Sequence, residues 1–402
     1  MEAPYVLVLV ALEEGGNLLG ILRAPFERGA HSTRVQAKFE VMPKTEHLSP
    51  ERERPRIFFD LEGDHTLGRN ESRPGRLLDV RDYCKLHIVI HYVAKLLGAQ
   101  ASGAPFHIVP VGRVGNDAAG RQVVKEMSEV GIDTTRVQAT PERPTLFSVC
   151  FQYPDGAGGN ITTSNSAAAG LCEAEVDAVA ELLRSGGEHG IALAAPEVSL
   201  EVRHHFLRLA TQAKAFRAAS FVSAEIAHAK QAGMFSQLDL VSLNEEEASE
   251  LVGCPFSSDS PQIFVRKCQD FLRSFFPTLR VVVSVGKDGA YGVTAELCSY
   301  CPAPKVEVAS TAGAGDSLLG GIVAGLAAGI PFLRSEPPDK NVTGPTIATA
   351  LELGVLLASY KCLSPHTIHP SACAETLLCF ARDVGWSFSR QIEELLTDTA
   401  FA

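Results

Sequence analysis

From Leu171 onward the chain alternates helical segments with short, uninterrupted apolar runs, and that rhythm admits few folds. It predicts helices over Cys172 to Arg184 and Val202 to Ala215, and strands over Ile191 to Ala195, Ala219 to Ser223 and Asp239 to Leu243. A helix over Glu245 to Val252, a Pro/Ser loop, a helix over Phe264 to Phe276 and a strand over Val281 to Val285 continue the series. Strands apolar along their whole length and separated by helices form a parallel sheet covered on both faces. Such sheets bind ligands beyond the carboxyl ends of their strands.

The 402 residues suffice for one large α/β domain with an elaboration, or for two domains. Acidic residues outnumber basic ones 47 to 36, and the net charge of −11 disfavours a nucleic-acid partner. Ten scattered cysteines, most in apolar surroundings, suggest reduced thiols and a cytoplasmic protein. Only Cys298 and Cys301 have a metal or redox spacing, and no second pair accompanies them. The apolar run Tyr5 to Leu12 is too short for a membrane span and lacks the basic flank of a signal peptide, so no membrane partner is expected.

Before residue 171 the pattern is less regular. Tyr5 to Leu12 reads as a first strand, and the polar stretch ending in Glu51-Arg52-Glu53-Arg54-Pro55 as a solvated linker, so residues 1–56 form a segment of their own. Ile57 to Asp60 reads as an edge or core strand, Tyr83 to Leu97 as a helix and His107 to Val111 as a strand. Thr145 to Tyr153 and Asn160 to Ser164, joined across Pro154-Asp155-Gly156, read as a β-hairpin. Helical segments over Thr346 to Tyr360, Ala372 to Ala381 and Phe388 to Leu396 close the chain.

The chemistry concentrates at Ser310-Thr311-Ala312-Gly313-Ala314-Gly315-Asp316, a tight turn opening into the small apolar run Ser317 to Gly329. A turn entering a helix in this way presents free N–H groups and the positive end of the helix dipole to an anion. Asp316 beside it could take a proton from a hydroxyl while the amides of Ala312, Gly313, Ala314 and Gly315 stabilise a phosphoryl group. The bland alternative is a helix-terminal charge followed by glycines that allow close packing.

Residues Ser310 to Val323 resemble the carboxy-terminal signature of the ribokinase-like, PfkB-type carbohydrate kinases, D-T-x-G-A-G-D, through Thr311, Gly313, Ala314, Gly315, Asp316, Gly320 and Gly321. The resemblance implies a ribokinase-like three-layer α/β/α sandwich with a small β-rich lid. It covers residues 57–384, with lid strands over about 140–165 and a helix and tail over 385–402. Asn244 and Glu247 resemble the family's N-x-x-E motif and would support Mg²⁺ through water on the phosphates of ATP, although the same string also reads as a helix cap. Ser284, Gly286 and Gly289 resemble the strand-Gly-x-x-Gly nucleotide element, and no Walker A string occurs. Asn165, Glu197 and either Asp60 or Asp64 fall where the family contacts its sugar.

Two departures bear on function. The family's amino-terminal Gly-Gly pair and Asn are replaced by Cys84-Lys85-Leu86-His87-Ile88-Val89, which closes space around the expected sugar pose. Within that run His87, with His91 one turn on, could meet a substrate or sit in the core. The second departure is Ser310, at the place of an Asp that helps hold an activating monovalent cation in family members; a neutral Ser would weaken or remove that site. The resemblance implies a kinase that transfers the γ-phosphate of ATP to a hydroxyl of a sugar or sugar-like molecule. A nucleoside kinase of the same fold and a non-catalytic sugar- or nucleotide-binding protein are the alternatives. An edge of the lid sheet could pair with a second copy into a homodimer.

Overall fold

The computed structural model describes residues 5–9, 57–61, 75–79, 84–100, 106–146, 148–152, 158–334 and 345–399. In chain order the strands are β1 Tyr5–Leu9, β2 Ile57–Leu61, β3 Gly75–Asp79, β4 His107–Gly115, β5 Val137–Thr140, β6 Ser148–Gln152 and β7 Gly158–Thr162. They continue with β8 Ile191–Ala194, β9 Phe216–Ser220, β10 Leu240–Asn244, β11 Arg280–Ser284, β12 Gly289–Val293 and β13 Cys298–Pro302. The helices are α1 Lys85–Leu97, α2 Ala118–Glu129, α3 Glu173–Asp177, α4 Ala180–Gly186, α5 Leu200–Gln212 and α6 Ser223–Gln231. After these come α7 Glu245–Val252, α8 Pro261–Phe275, α9 Ala314–Ala327, α10 Ala350–Lys361, α11 Ala374–Asp383 and α12 Arg390–Thr399.

Nine strands form one sheet in the order β13-β12-β11-β10-β9-β8-β1-β4-β5. From β5 to β11 every neighbouring pair is parallel, and β12 and β13 add an antiparallel hairpin at the far edge. Alternate residues of a strand point to opposite faces, so a strand buried on both sides feeds two cores. In β8, Ile191 and Leu193 enter a core shared with α1, α9 and α10, while Ala192 and Ala194 enter one shared with α5 and α8. Two separate cores on one sheet are the mark of the three-layer α/β/α sandwich.

A second sheet, β3-β2-β6-β7, forms the smaller layer. Its β6–β7 arm is the hairpin expected from the sequence. Ile57–Leu61 belongs to this sheet rather than to the large one, pairing with β6 in parallel and with β3 antiparallel. The first strand, β1, lies in the middle of the large sheet between β4 and β8.

Several boundaries differ from the sequence reading. β4 runs on to Gly115 because β5 pairs with its Gly112 to Gly115 end. β9 begins at Phe216 because the β8 register places Ala218 and Ala219 opposite Leu193 and Ala194, and Ser223 opens α6, a helix with no strong apolar face. Of the nine cysteines whose side chains are described, only Cys84, Cys268, Cys301 and Cys362 are buried, fewer than their apolar neighbours in sequence suggest.

The small residues of α9 are used in packing. A Cβ on Gly321 would stand 2.7 Å from Gly354 Cα, and one on Gly354 would stand 2.6 Å from the Leu318 carbonyl oxygen, so α9 and α10 touch backbone to backbone. On the other side a Cβ on Gly320 would meet the Val89 carbonyl of α1 at 3.1 Å. Gly321→Leu is therefore expected to destabilise the fold by about 1–3 kcal/mol or more, the cost of overpacking. A urea midpoint equal to that of the unmodified protein would contradict this account of the helix pair.

Candidate active site

Strands β10 and β11 end side by side, with Asn244 opposite Ser284. Asn244 caps α7: its Oδ1 accepts from the Glu247 N–H at 2.8 Å, and Glu247 Oε2 accepts from the Asn244 N–H at 2.9 Å. This reciprocal pair satisfies two of the orphan donors at the helix start. The cap reading of this string is thus realised in the structure. It leaves Glu247 Oε1 outside the capping pair.

The surroundings of that carboxylate are unusual. Burial raises the Glu247 pKa, the Asn244 N–H and the Lys85 ammonium pull it down, and the negative charges of Asp316 and Glu225 push it up, with an upward net result. Glu225 is itself held by the guanidinium of the fully buried Arg203 and accepts from the Val222 N–H. The electrostatics thus group Glu247 with Asp316 from the start of α9 and Lys85 from the start of α1. Lys85 supplies the positive charge of this group.

The start of α9 lacks the side-chain cap that α1, α5, α7 and α10 carry. Its N-cap is Gly313, at φ +78° in the left-handed region. That conformation favours glycine, and a Cβ there would also strike the Thr367 carbonyl at 2.7 Å. The Ala312 N–H donates to Ser310 Oγ at 3.2 Å and the Ala314 N–H to the Thr311 carbonyl at 3.1 Å. Among the described residues the N–H groups of Gly313 and Gly315 have no acceptor, and the space beside Gly315 is open. Of the four amides expected to meet an anion, two are thus engaged within the loop and two are available.

The remaining candidates fall into two groups. Gly286 follows β11 at φ +56° with open space beside it. Gly289 has a structural reason of its own, because a Cβ there would stand 2.1 Å from the Cys301 carbonyl oxygen in the β12–β13 hairpin. Ser284 Oγ donates to the Leu243 carbonyl at 3.4 Å, which ties the two strand ends together. Glu197 sits just past β8 at φ +83°, uncommon for a residue with a side chain and a feature that clusters at functional sites. Asn165 is exposed between the lid hairpin and Ala168. Asp60 is part of β2, and Asp64 lies outside the described residues.

His87 is fully buried in α1 and its ring centroid lies 5.8 Å from that of His91, so it belongs to the core rather than to a substrate surface. Burial, with Lys95 adding to it, holds His91 down at about 4 and hence neutral in ordinary buffers. In the Cys298/Cys301 pair, Cys298 is exposed and Cys301 buried, and desolvation raises both thiols, to about 11 and about 12 respectively. Neither is poised as a thiolate ligand or nucleophile.

Mg²⁺ fits this arrangement. Among the described residues no group of three or more His, Cys, Asp or Glu is placed to hold a metal. Mg²⁺ on a nucleotide needs only one or two carboxylates, with phosphates and water completing its shell. Glu247, its pKa raised by burial and by its acidic neighbours, is a carboxylate whose charge a dication would compensate. A soluble monovalent cation at residue 310 does not fit. Ser310 is buried and uncharged, and its carbonyl already accepts a hydrogen bond from the Lys361 ammonium at 2.8 Å.

A ribokinase-like sandwich with an uncapped Gly-Ala-Gly-Asp helix start defines a class, and sequence comparison agrees with it. The chain belongs to the pfkB family of carbohydrate kinases, whose profile matches residues 92–373. Among solved structures it is similar to the Arabidopsis thaliana ribokinase complexed with ribose and ATP, with TM-score 0.59 and 16% identity over 98% of this chain and 99% of the other. It is also similar to the Cryptococcus neoformans ribokinase in complex with ADP, with TM-score 0.61 and 15% identity over 93% and 99% of the two chains. A stretch of 90 residues is 38% identical to the ATP-dependent 6-phosphofructokinase isozyme 2 of Escherichia coli, spanning 22% of this chain and 28% of that enzyme. Among the described residues no helix is long and apolar enough to cross a membrane.

The sequence reading missed three residues of this region. Lys361, Thr367 and Glu225 lie apart in the chain from the residues they serve, and none of them carried a local signal in the sequence.

Proposed function

We propose that the chain is an ATP-dependent kinase that phosphorylates a hydroxyl of a sugar or sugar-like small molecule. The observation that carries this reading is the start of α9, where Asp316 stands in the first turn beside the available amides of Gly313 and Gly315. The Asp316 carboxylate accepts the proton of the acceptor hydroxyl as the hydroxyl oxygen attacks the γ-phosphorus, the bond from that phosphorus to the β,γ-bridging oxygen breaks, and ADP leaves with the bonding electrons, while the amides stabilise charge on the transferred phosphoryl oxygens. Asn244 and Glu247 would hold Mg²⁺ through water, and the ion when bound would neutralise phosphate charge. Ser284 and Gly286 at the end of β11 flank the nucleotide.

Family membership and the intact Gly-Ala-Gly-Asp run support turnover rather than binding alone, because a binding protein has no use for the base. On the acceptor side Lys85 stands where the family keeps glycine, so an acceptor held in the usual pose would meet its side chain. The test is ADP release from Mg-ATP across sugars, sugar phosphates, sugar acids and nucleosides. Turnover with a sugar-class acceptor is the expected result; turnover confined to nucleosides, or none with any acceptor, would overturn it.

A further inference from the structure

Lys361 is the last residue of α10 and is completely buried. Burying an ammonium is costly unless it is well bonded, so its place in the fold calls for a reason. Its Nζ donates to the carbonyl of Ser310 at 2.8 Å, the residue that opens the anion loop. Two further bonds fix Ser310 and a third fixes its neighbour. Its Oγ accepts from the Ala312 N–H at 3.2 Å, its own N–H donates to the Cys362 carbonyl at 3.3 Å, and the adjoining Ala309 N–H donates to the same carbonyl at 2.8 Å. The loop after Lys361 continues beneath the anion loop, where the Thr367 carbonyl abuts Gly313. A positive charge is therefore covalently anchored under the turn that presents the Gly313 and Gly315 amides.

We infer that Lys361 is a resident cation of the anion loop: its ammonium holds the Ser310 carbonyl and lends positive charge to an anion bound above, so the site needs no dissolved monovalent cation. The inference rests on the kinase reading for the identity of that anion, a nucleotide phosphate. Lys361 is a positioning residue, since it reaches the bound anion through Ser310 and the loop. A lysine at the carboxyl end of a helix is favourable in itself, and this placement offsets part of the cost of burial. A soluble cation at Ser310 would have to displace the ammonium from that carbonyl and would find no charge on the serine side chain.

The experiment measures the affinity for the magnesium complex of β,γ-imido-ATP, which keeps a γ-phosphoryl group and needs no acceptor, by calorimetry in potassium, sodium and tetramethylammonium chloride at equal ionic strength. The unmodified protein is expected to bind with affinities within about twofold of one another, since no ion-specific site contributes. An affinity at least tenfold higher in potassium would overturn the inference. Lys361→Met, close in length and uncharged, is expected to weaken binding of the analogue by about tenfold, equivalent to ~1.4 kcal/mol, and Lys361→Arg to recover part of the loss. A folded Lys361→Met protein that binds the analogue as well as the unmodified one would overturn it too. Should Lys361→Met fail to fold, the salt series alone decides the matter. Absence of binding of the analogue by the unmodified protein in all three salts would overturn the kinase reading and this inference together, an outcome distinct from the others.

Discussion

Asp316→Asn is expected to lower turnover by about 10²–10⁴-fold, the range of a lost general base, while leaving the melting temperature and Mg-ADP affinity close to those of the unmodified protein. Asparagine keeps the shape of the side chain and removes only its capacity to take a proton. Two small effects on stability oppose each other. Loss of a negative charge in the first turn of α9 gives up a helix-dipole interaction of about 0.3–1 kcal/mol. Relief of its repulsion with Glu247, which contributes to the raised pKa of that residue, acts the other way. The loss in transition-state stabilisation, about 3–5 kcal/mol at 1.4 kcal/mol per decade, exceeds both. The measurement is kcat with the identified acceptor, beside a thermal melt and a nucleotide titration. A variant with ordinary kcat would remove Asp316 from the chemistry, and one that fails to melt cooperatively would mean that its role is structural.

The local geometry of the two helix starts in the candidate site was legible in the sequence because their residues are contiguous. Gly313 to Asp316 form one turn, and Asn244 with Glu247 form one capping box, so spacing alone places each group. The strands β8, β10 and β11 were legible for a related reason, as their unbroken apolar runs meet no competing pattern. Contacts distant in sequence were not. The bond from Lys361 to Ser310 crosses 51 positions, and nothing local distinguishes a lysine that ends a helix in water from one that ends it beneath another loop. The same holds for β1, whose place between β4 and β8 depends on register with strands about a hundred and more residues away. The helix α6 was lost because its Ser223 to Gln231 sequence has only Ile226 and Ala229 buried, too few to set a period. Lys85 was illegible for the same reason as Lys361, because its charge acts on Glu247 only when α1 and α7 are assembled.

Glu247→Gln separates the two roles that the capping box and the metal reading assign to one residue. Glutamine retains an oxygen that can accept from the Asn244 N–H, as the capping box allows, so α7 should keep its cap. The variant no longer buries a charge, nor sets it against Asp316 and Glu225, though it gives up the attraction to Lys85. Because the net effect in the folded protein is a raised pKa, the folded state holds the Glu247 proton more tightly than the unfolded state does. The residue's favourable contribution is therefore complete below the ordinary carboxylate range and is lost as pH rises through its raised folded value. Without nucleotide or metal, the glutamine variant is expected to gain on the unmodified protein across that window and to melt at the same or a higher temperature at neutral pH. Turnover should move in the opposite direction, falling by about 10–100-fold, the usual effect of removing a group that supports a metal, with a higher Mg²⁺ concentration needed for half-activation. Melting curves from pH 4 to 8 and a Mg²⁺ titration of activity test both arms. A less stable variant with unchanged Mg²⁺ dependence would show that the Glu247 charge serves only the fold; a stable variant with impaired Mg²⁺ use would show that the charge is kept for the metal at a cost to the empty protein.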